Sequence, residues 1–210
     1  MRTSYRLGGR VYVTPNGYTY PSVTTILANY NKEAIAAWRA KVGEEEANRI
    51  VKESSGRGSR FHSLCEKYLL NQLDEQVLSE AADDARQLFE AVKPVIDKSV
   101  GNVYCMEQTL YSDRLKIAGR VDLIADWNGV PAVIDFKNSL KTKKEEWITN
   151  YLMQCTCYTC MFSEITGLPL NQIVVLIGVV DNPIPQVFVK KATDYLEETV
   201  KFIRDYHAVN

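Results

Sequence analysis

The dipeptide Asn128-Gly129, which lies between two apolar segments, constrains the fold more than any other feature of the sequence. Asn-Gly favours the left-handed backbone of a two-residue hairpin turn, and a symmetric turn pairs the flanking strands residue for residue. One face of that hairpin then carries only the apolar pairs Trp127–Val130, Ala125–Ala132, Leu123–Ile134 and Val121–Phe136. The segments therefore predict an antiparallel hairpin that buries this face.

The opposite face of the hairpin carries charged residues. Asp122 is predicted to lie opposite Asp135, and Arg120 opposite Lys137. Two directly opposed carboxylates repel each other, so folding alone gives no reason for the acidic pair. A divalent cation does give one, because Mg²⁺ prefers carboxylate oxygens, and Lys137 would then reach a phosphate beside the metal. The alternative is a pair of solvated acids on an exposed face.

The segment before the hairpin adds a third acid to the charged face. A two-residue turn over Asp113 and Arg114 places Glu107 opposite Arg120. Two interpretations of Glu107 remain open, an ion pair with Arg120 and a further metal ligand.

The remaining pattern predicts an α/β fold, in which a mixed central sheet of about five strands is flanked by helices and preceded by a helical N-terminal part. Strands are expected near residues 103–111, 115–127, 130–136, 173–180 and 187–190, with a small hairpin around Asn16-Gly17. Helices are expected from Ser22 and near residues 32–52, 59–71, 78–98, 144–166 and 193–207, with a break at 54–56. We expect one domain over residues 1–210, with the N-terminal hairpin and helices at about 1–100, the core at about 101–191 and a C-terminal helix at about 192–208.

Composition limits the partners. With 46% hydrophobic and 24% charged residues, the chain is typical of a globular protein. Its net charge is −1, so a nucleic acid must be attracted by a local cluster. The candidate cluster is Lys137, Lys141, Lys143 and Lys144, although such clusters are usually solvated surface. No apolar run is long enough to cross a bilayer, and the first ten residues lack a secretory pattern. We expect a monomer without a membrane partner in the cytoplasm, or in the host-cell cytoplasm if the chain is phage-encoded.

The five cysteines are predicted to be reduced. Cys155, Cys157 and Cys160 lie within a helical pattern, and their spacing is not that of common zinc sites. Core thiols are therefore favoured over a metal site.

Several motifs occur together in the order found in a known family. Asp122, within Gly119-Arg120-Val121-Asp122, and the element Asp135-Phe136-Lys137 resemble the PD-(D/E)XK nuclease superfamily. The segment ending in His62 (Gly58-Ser59-Arg60-Phe61-His62) and the pair Gln154 and Tyr158 resemble motifs of its RecB-like exonuclease branch, which includes mitochondrial genome-maintenance and phage exonucleases. Val23-Thr24-Thr25-Ile26-Leu27 with Trp38 is similar to the N-terminal part of these proteins. Asn138 follows the lysine where threonine is frequent in this branch.

The resemblance implies a restriction-endonuclease-like core and a metal-dependent deoxyribonuclease. Asp122, Asp135 and Lys137 would be catalytic, and Mg²⁺ or Mn²⁺ would be held by His62, Asp122, Asp135, the Phe136 carbonyl and Glu107. Glu66 would orient His62. The substrate strand would contact Gln154, Tyr158, Arg120, Lys141, Lys143 and Lys144. Without the resemblance, His62 is a hydrogen-bonded helix histidine, and Gln154 and Tyr158 are surface and core residues.

The resemblance further implies an exonuclease that acts on the ends of single-stranded DNA. Unpaired bases would stack on aromatic residues of the first third, for which the candidates are Tyr12, Tyr18, Tyr20, Tyr30 and Trp38. The alternatives are a structure-specific endonuclease with the same centre and a catalytically silent DNA-binding module. Some branch members hold an iron–sulfur cluster, but no suitable cysteine precedes His62 here, and none is expected.

Overall fold

Helices are concentrated in the first half of the chain and strands in the second, as the sequence pattern predicts. The computed structural model describes residues 1–6 and 9–209. In chain order, the elements are β1 (Arg2–Arg6), β2 (Gly9–Val13), β3 (Thr19–Pro21), α1 (Val23–Tyr30), α2 (Lys32–Val42), α3 (Glu44–Leu69), α4 (Glu75–Ser79), α5 (Asp83–Ser99), β4 (Val100–Ser112), β5 (Ile117–Trp127), β6 (Val130–Ser139), α6 (Thr149–Thr166), β7 (Gln172–Val179), β8 (Asn182–Lys191) and α7 (Leu196–Val209). Short 3₁₀ turns precede α6 and α7.

The predicted mixed sheet is confirmed. Its five strands lie in the order β4-β5-β6-β7-β8. Only β6 and β7 are parallel, and α6 connects them. A parallel pair needs such a long crossover, whereas the other neighbours are joined by short turns.

The central hairpin forms in the predicted register near its turn. Trp127 pairs with Val130, Ala125 with Ala132 and Leu123 with Ile134. The two turn residues have φ angles of 51° and 81°, the left-handed conformation that Asn-Gly favours.

Helices cover both faces of the sheet. One apolar cluster joins α3 and α5 to Leu123, Ala125, Trp127, Ala132, Ile134 and Phe136. The other joins α1, α6 and α7 to Ile117, Val121, Ile124, Val133, Ile173 and Val175. Burial on both faces is typical of sheets with a parallel central pair. Among the described residues, no helix combines the length and the apolar character needed to span a bilayer.

The predicted helix break at Ser54-Ser55-Gly56 is wrong. α3 continues through this segment, and the boundary lies earlier, at Gly43, whose φ is 88°. Helix propensity at 54–56 is weak, but Phe61, Leu64 and Cys65 of the same helix are buried against the sheet. Tertiary packing therefore overrides local propensity here.

The predicted register of β4 against β5 is also wrong. Thr109, rather than Glu107, lies opposite Arg120, and the turn spans residues 113–116. Glu164 of α6 stabilises this longer turn, because its carboxylate accepts hydrogen bonds from the backbone N–H groups of Asp113 and Arg114 at 3.0 and 3.2 Å. This acceptor comes from a distant part of the sequence, so a local turn rule could not identify it.

Candidate active site

The regular pleat of the sheet is interrupted at Glu107 and Asp122. Glu107 has a φ of 50°, which non-glycine residues rarely adopt and which costs about 1–3 kcal/mol. Strict alternation of faces requires a continuous pleat. Leu123 packs beneath α3 and α5, but Val121 packs with Ile124 on the opposite side. The prediction that Val121 shares a face with Leu123 is therefore wrong, and the interruption accounts for it.

β5 and β6 separate at the same level. Their ladder extends from the turn to Leu123–Ile134 and no further, so the predicted pairs of Asp122 with Asp135, Val121 with Phe136 and Arg120 with Lys137 do not form. The backbone N–H of Phe136 instead donates to Asp122 Oδ2 at 3.0 Å. A side-chain carboxylate thus occupies the position of a ladder carbonyl, and the strands part around it.

His62, Glu107 and Asp122 converge in the space that this separation opens. Each offers one ligand atom, and these atoms lie within 4.8 Å of one another. His62 comes from α3, and its Nδ1 lies 3.4 Å from Asp122 Oδ2. Burial and the Asp122 charge raise the pKa of Glu107, while Arg120 opposes the rise through an ion pair of 2.7 Å. Glu107 therefore forms the ion pair with Arg120, and its carboxylate also lies where it could bind a metal ion.

Asp135 and Lys137 form a buried ion pair beside this group. Asp135 is 1% exposed, and neither of its carboxylate oxygens accepts a hydrogen bond of ordinary geometry. Burial raises the pKa of Asp135 to about 6, and the nearby Asp122 charge adds to the rise. Burial alone lowers the pKa of Lys137, but the carboxylates of Asp135 and Asp122 outweigh it and raise that pKa above its usual value.

α6 closes the far side of the site. Lys137 Nζ lies 5.2 Å from the centre of the Tyr151 ring. Gln154 forms a side-chain hydrogen bond with Tyr158, and burial raises the Tyr158 pKa well above its usual value. A Cβ on Gly119 would lie 2.9 Å from the Tyr158 ring, so only glycine allows α6 to approach β5 this closely.

A cavity of about 810 Å³ connects these residues. Of the sequence-predicted site residues, those that line it are His62, Glu66, Glu107, Arg120, Asp122, Lys137, Gln154 and Tyr158. Asp135 lies directly behind Lys137. Glu66 contributes to the raised pKa of Glu107, but it makes no hydrogen bond to His62 in the described part of the chain.

The predicted lysine cluster and most of the predicted stacking aromatics lie elsewhere. Lys141, Lys143 and Lys144 do not line the cavity, and Lys144 lies over the Trp147 ring. Among the aromatics, Tyr12 lines the cavity. The others do not: Tyr20 donates to Asp113 at 2.7 Å and stacks on Tyr18, Tyr30 donates to Glu198 at 2.9 Å, and Trp38 lies in α2. Their stacking on bases is not supported by these positions.

Two contacts at the site were not anticipated from the sequence. The buried Arg57 donates through Nε to Asn138 Oδ1 at 2.9 Å, and a Cβ on Gly58 would lie 2.6 Å from Asn138 Nδ2. These contacts fix α3, which carries His62, against the end of β6, which carries Lys137.

A second set of residues, which includes Arg10 and Thr24, lines the cavity from the N-terminal sheet and α1. The only sequence signal for this set is the Val23–Leu27 motif.

The donor set fits a divalent metal ion. Carboxylate oxygens are the ligands that Mg²⁺ and Mn²⁺ prefer, and imidazole is a common additional ligand. The buried carboxylate of Asp135 is balanced by the ammonium group of Lys137, which contacts its Oδ2. Asp122, Glu107 and His62 together could hold a metal ion, and Asp135 lies beside this group without lining the cavity.

Comparison with known proteins gives one family. The family model described as the PD-(D/E)XK nuclease superfamily matches residues 27–207. A solved structure described as "Crystal structure of SSO0001" is similar to the chain, with a TM-score of 0.45 and 15% sequence identity over 90% of this chain and 75% of that one. No curated protein matches the chain.

Proposed function

The chain belongs to the PD-(D/E)XK nuclease superfamily, and from this premise we propose that it is a metal-dependent deoxyribonuclease that degrades single-stranded DNA from its ends. The observation that carries the proposal is the convergence of Asp122, His62 and Glu107 beside the buried pair Asp135–Lys137 in one cavity. Carboxylates as close as those of Asp122 and Glu107 repel each other unless a cation lies near them.

Each side chain has a role that follows from its position. His62, Asp122, Asp135, Glu107 and the Phe136 carbonyl would hold one or two Mg²⁺ or Mn²⁺ ions. When bound, the metal supplies a lowered pKa for water and neutralises negative charge on the phosphate.

Lys137 is the cation best placed to act on the phosphate itself. It is mostly buried, it is held by Asp135, and its pKa is raised, so it stays protonated across the physiological range. As water attacks phosphorus and the bond to the leaving deoxyribose oxygen breaks, charge grows on the phosphoryl oxygens. The ammonium group of Lys137 would donate a hydrogen bond to that charge. Gln154 and Tyr158 would position the strand.

The size of the cavity and the net charge of the chain both support a single strand as substrate. A volume of about 810 Å³ is that of a ligand-sized pocket and accommodates a few nucleotides of one strand. The chain's net charge of −1 disfavours a long electrostatic contact with duplex. Tyr151, which is partly exposed, adds aromatic surface to the cavity wall for unpaired bases.

The test uses four DNA substrates of equal length: single-stranded linear, covalently closed single-stranded circular, duplex linear and duplex circular. Each is incubated with Mg²⁺, with Mn²⁺ and with EDTA, beside the Asp122→Asn variant as the inactive control. We expect metal-dependent release of short products from the linear single strand and none from either circle. Cutting of the single-stranded circle at the same rate as the linear strand would indicate an endonuclease. DNA binding without any cleavage in either metal would indicate a catalytically silent module.

A further inference from the structure

Arg10 of β2 and Thr24 of α1 form a hydrogen-bonded cluster on the cavity wall. Arg10 Nη2 donates to Thr24 Oγ1 at 3.2 Å, and Thr24 Oγ1 shares a hydrogen bond of 2.9 Å with Ser22 Oγ. Thr25 Oγ1 donates to the Arg10 carbonyl at 3.1 Å, which holds the arginine backbone against α1. Thr24 therefore holds the guanidinium of Arg10, and Thr25 holds the Arg10 backbone.

This cluster belongs to the same cavity as the metal-ligand group. Ser22 forms a parallel bridge with Ala118, and the next residue of β5, Gly119, lines the cavity between the two groups. The small N-terminal sheet is fixed to the main sheet near this point, because Tyr20 donates to Asp113 at 2.7 Å. The position of Arg10 relative to the catalytic wall is thus set by the fold rather than by a free surface loop.

The charges on the cavity wall are unequally distributed. The wall that carries Asp122, Glu107 and Glu66 is acidic. Arg120, on that wall, is neutralised by its ion pair with Glu107. In the described part of the chain, Arg10 has no carboxylate partner, and its recorded side-chain hydrogen bond goes to the neutral hydroxyl of Thr24. Its positive charge therefore remains available to a ligand in the cavity.

A phosphate group matches this cluster. A guanidinium binds two phosphate oxygens with paired N–H donors, and such charge-assisted hydrogen bonds are among the strongest in proteins. The Thr24 hydroxyl accepts from Arg10 and directs its own proton to Ser22 Oγ, because the Ser22 proton goes to Thr25 Oγ1 and the Thr25 proton to the Arg10 carbonyl. Thr24 therefore orients the guanidinium for the phosphate. A single DNA strand whose scissile phosphate lies at the metal-ligand group carries further phosphates along its backbone, and these would be repelled by the acidic wall.

We propose that Arg10, which Thr24 and Ser22 hold in place, binds a second phosphate of the substrate strand, adjacent to the one that is cleaved. The inference rests on the proposed function for the identity of the strand. The bound group is a phosphate monoester if the strand end reaches Arg10, and an internal phosphodiester if the strand continues past it.

Binding in EDTA tests the cluster separately from catalysis. The dissociation constant for a short single-stranded oligonucleotide is measured at several salt concentrations for wild type, Arg10→Ala, Arg10→Lys and Arg2→Ala. Arg2 is the matched control, because it lies exposed in the same small sheet and does not line the cavity. For Arg10→Ala, the loss of one charge-assisted contact weakens binding about tenfold. The logarithmic salt slope falls by about 0.7, the value for one phosphate of a single strand. Arg10→Lys retains the slope, and Arg2→Ala behaves as wild type.

A methylphosphonate scan locates the phosphate. Replacing one phosphate at a time by the neutral linkage should weaken wild-type binding at one position where Arg10→Ala shows no further loss. Oligonucleotides with phosphate or hydroxyl ends distinguish the two sources, because only a terminal monoester site responds to the end group. Equal binding and equal salt slopes for Arg10→Ala and Arg2→Ala would overturn the inference. So would a scan that gives the same profile in wild type and Arg10→Ala.

Hydrolysis of bis(p-nitrophenyl) phosphate separates this inference from the proposed function. This diester tests whether the metal-ligand group hydrolyses phosphodiesters at all. The control Arg2→Ala should match wild type on the diester in Mn²⁺ and in its KM for DNA, whereas Arg10→Ala should raise the KM for DNA. If wild type cleaves neither this diester nor DNA, the proposed function fails, and the binding data in EDTA still decide whether Arg10 contacts phosphate.

Discussion

The two ends of the β5–β6 hairpin differ in regularity. Near the turn, the strands pair in a continuous antiparallel ladder from Trp127–Val130 to Leu123–Ile134. At the other end the ladder stops, and the carboxylate of Asp122 accepts a hydrogen bond from the backbone N–H of Phe136. Glu107 on the adjacent strand has a left-handed φ. The register of the regular end is set by the turn, whereas the residues that meet at the irregular end are not the pairs that this register predicts.

The irregular end contains features that folding alone does not favour. Glu107 has an unfavourable backbone conformation, the ion pair of Asp135 with Lys137 is buried, and three ligand atoms lie within 4.8 Å of one another. Such features are typical of functional sites, where stability is sacrificed for a prepared geometry. Substitutions at the two ends should therefore have opposite consequences for activity and stability.

The largest effect is expected from the buried acids. Asp122→Asn and Asp135→Asn should each reduce metal-dependent cleavage about a thousandfold or more, as when one member of a catalytic unit is removed. Asparagine keeps the shape of the side chain, and at position 122 it keeps the acceptor for the Phe136 N–H. Single-turnover cleavage rates at saturating Mn²⁺ measure the loss.

Ile134→Val at the regular end is the matched control for these acids. It should cost about 0.5–1.5 kcal/mol of stability and leave the cleavage rate unchanged. If Ile134→Val lowered the rate as much as Asp122→Asn does, the functional difference between the two ends would not exist.

Lys137→Ala should lower kcat about a hundredfold while KM changes little, because the lysine acts on charge that develops during the reaction. Lys144→Ala is the control, since Lys144 is exposed and outside the cavity. Steady-state kinetics on single-stranded DNA separates the two parameters. A rise in KM with unchanged kcat would assign Lys137 to strand binding instead.

Two glycines of α3 test how closely the helix must approach β6. Gly58→Ala places a Cβ 2.6 Å from Asn138 Nδ2, whereas Gly56→Ala meets only the flexible end of Arg60 at 3.3 Å. Gly58→Ala should therefore cost about 1–3 kcal/mol, as overpacking does, and weaken Mn²⁺ binding by displacing His62. Gly56→Ala should gain up to about 1 kcal/mol from helix propensity.

Thermal unfolding and metal titration measure both glycine variants. Adding Asn138→Ala to Gly58→Ala removes the clash and should restore metal affinity in part. If Gly58→Ala and Gly56→Ala were equally stable, the contact between α3 and β6 would not limit the site.

The raised pKa of Asp135 predicts that the stability of the metal-free protein and its affinity for metal both depend on pH. The Asp135 pKa of about 6 in the folded protein lies above the ordinary value of 3.8. The stability that this group contributes to the metal-free protein is therefore fully present below about pH 4 and lost as the pH rises through about 6. Metal binding has the opposite sign, because the ion needs the deprotonated carboxylate.

The half-saturating Mn²⁺ concentration should accordingly increase as the pH falls below about 6, by up to about tenfold per pH unit for one competing proton. Mn²⁺-induced shifts of the unfolding temperature between pH 5 and pH 8 measure it. Asp135→Asn should show a weaker dependence, which remains because the pKa of Glu107 is also raised and its proton also competes with the metal. A wild-type affinity that is constant from pH 5 to pH 8 would contradict the assignment of Asp135 as a ligand.

The regular parts of the fold were predictable because they follow local rules. Asn128-Gly129 determines a turn type, the turn determines the register, and apolar alternation determines the buried face near it. The five strands and the order of the sheet's antiparallel neighbours follow from the same rules. Asp122, Asp135 and Lys137 were predicted as site residues because a pair of opposed acids conflicts with those rules, and this prediction stays a proposal.

The errors have a common physical cause, which is contact with residues distant in sequence. Glu164 lengthens the β4–β5 turn, burial of Phe61 and Leu64 keeps α3 continuous, and Asp122 replaces a ladder partner of Phe136. The alternation of faces along β5 fails at Val121. The interruption lies beside Glu107 of the neighbouring strand β4, whose left-handed φ the sequence of β5 could not reveal. Arg10 and Arg57 were missed because nothing in their local sequence indicates which surface they meet.

The smallest effect concerns the left-handed backbone at Glu107, which can be compared with that at Lys116. Their φ angles are 50° and 54°, but Lys116 lies exposed in the β4–β5 turn and Glu107 lies in the site. Glycine relieves the strain in both cases, so Lys116→Gly and Glu107→Gly should each gain about 1 kcal/mol in metal-free buffer. At position 107, the lost ion pair with Arg120 offsets part of this gain, since such partly exposed pairs contribute under about 1 kcal/mol.

Metal separates the two glycine variants. Lys116→Gly should keep the full Mn²⁺-induced rise in unfolding temperature, because the turn holds no ligand. Glu107→Gly should lose much of that rise, because a ligand atom is gone while the backbone is relaxed. The strain at Glu107 would then be the conformational cost of directing its carboxylate toward His62 and Asp122. If Glu107→Gly were less stable than wild type without metal and responded normally to Mn²⁺, Glu107 would be an ion-pair partner of Arg120 and no ligand.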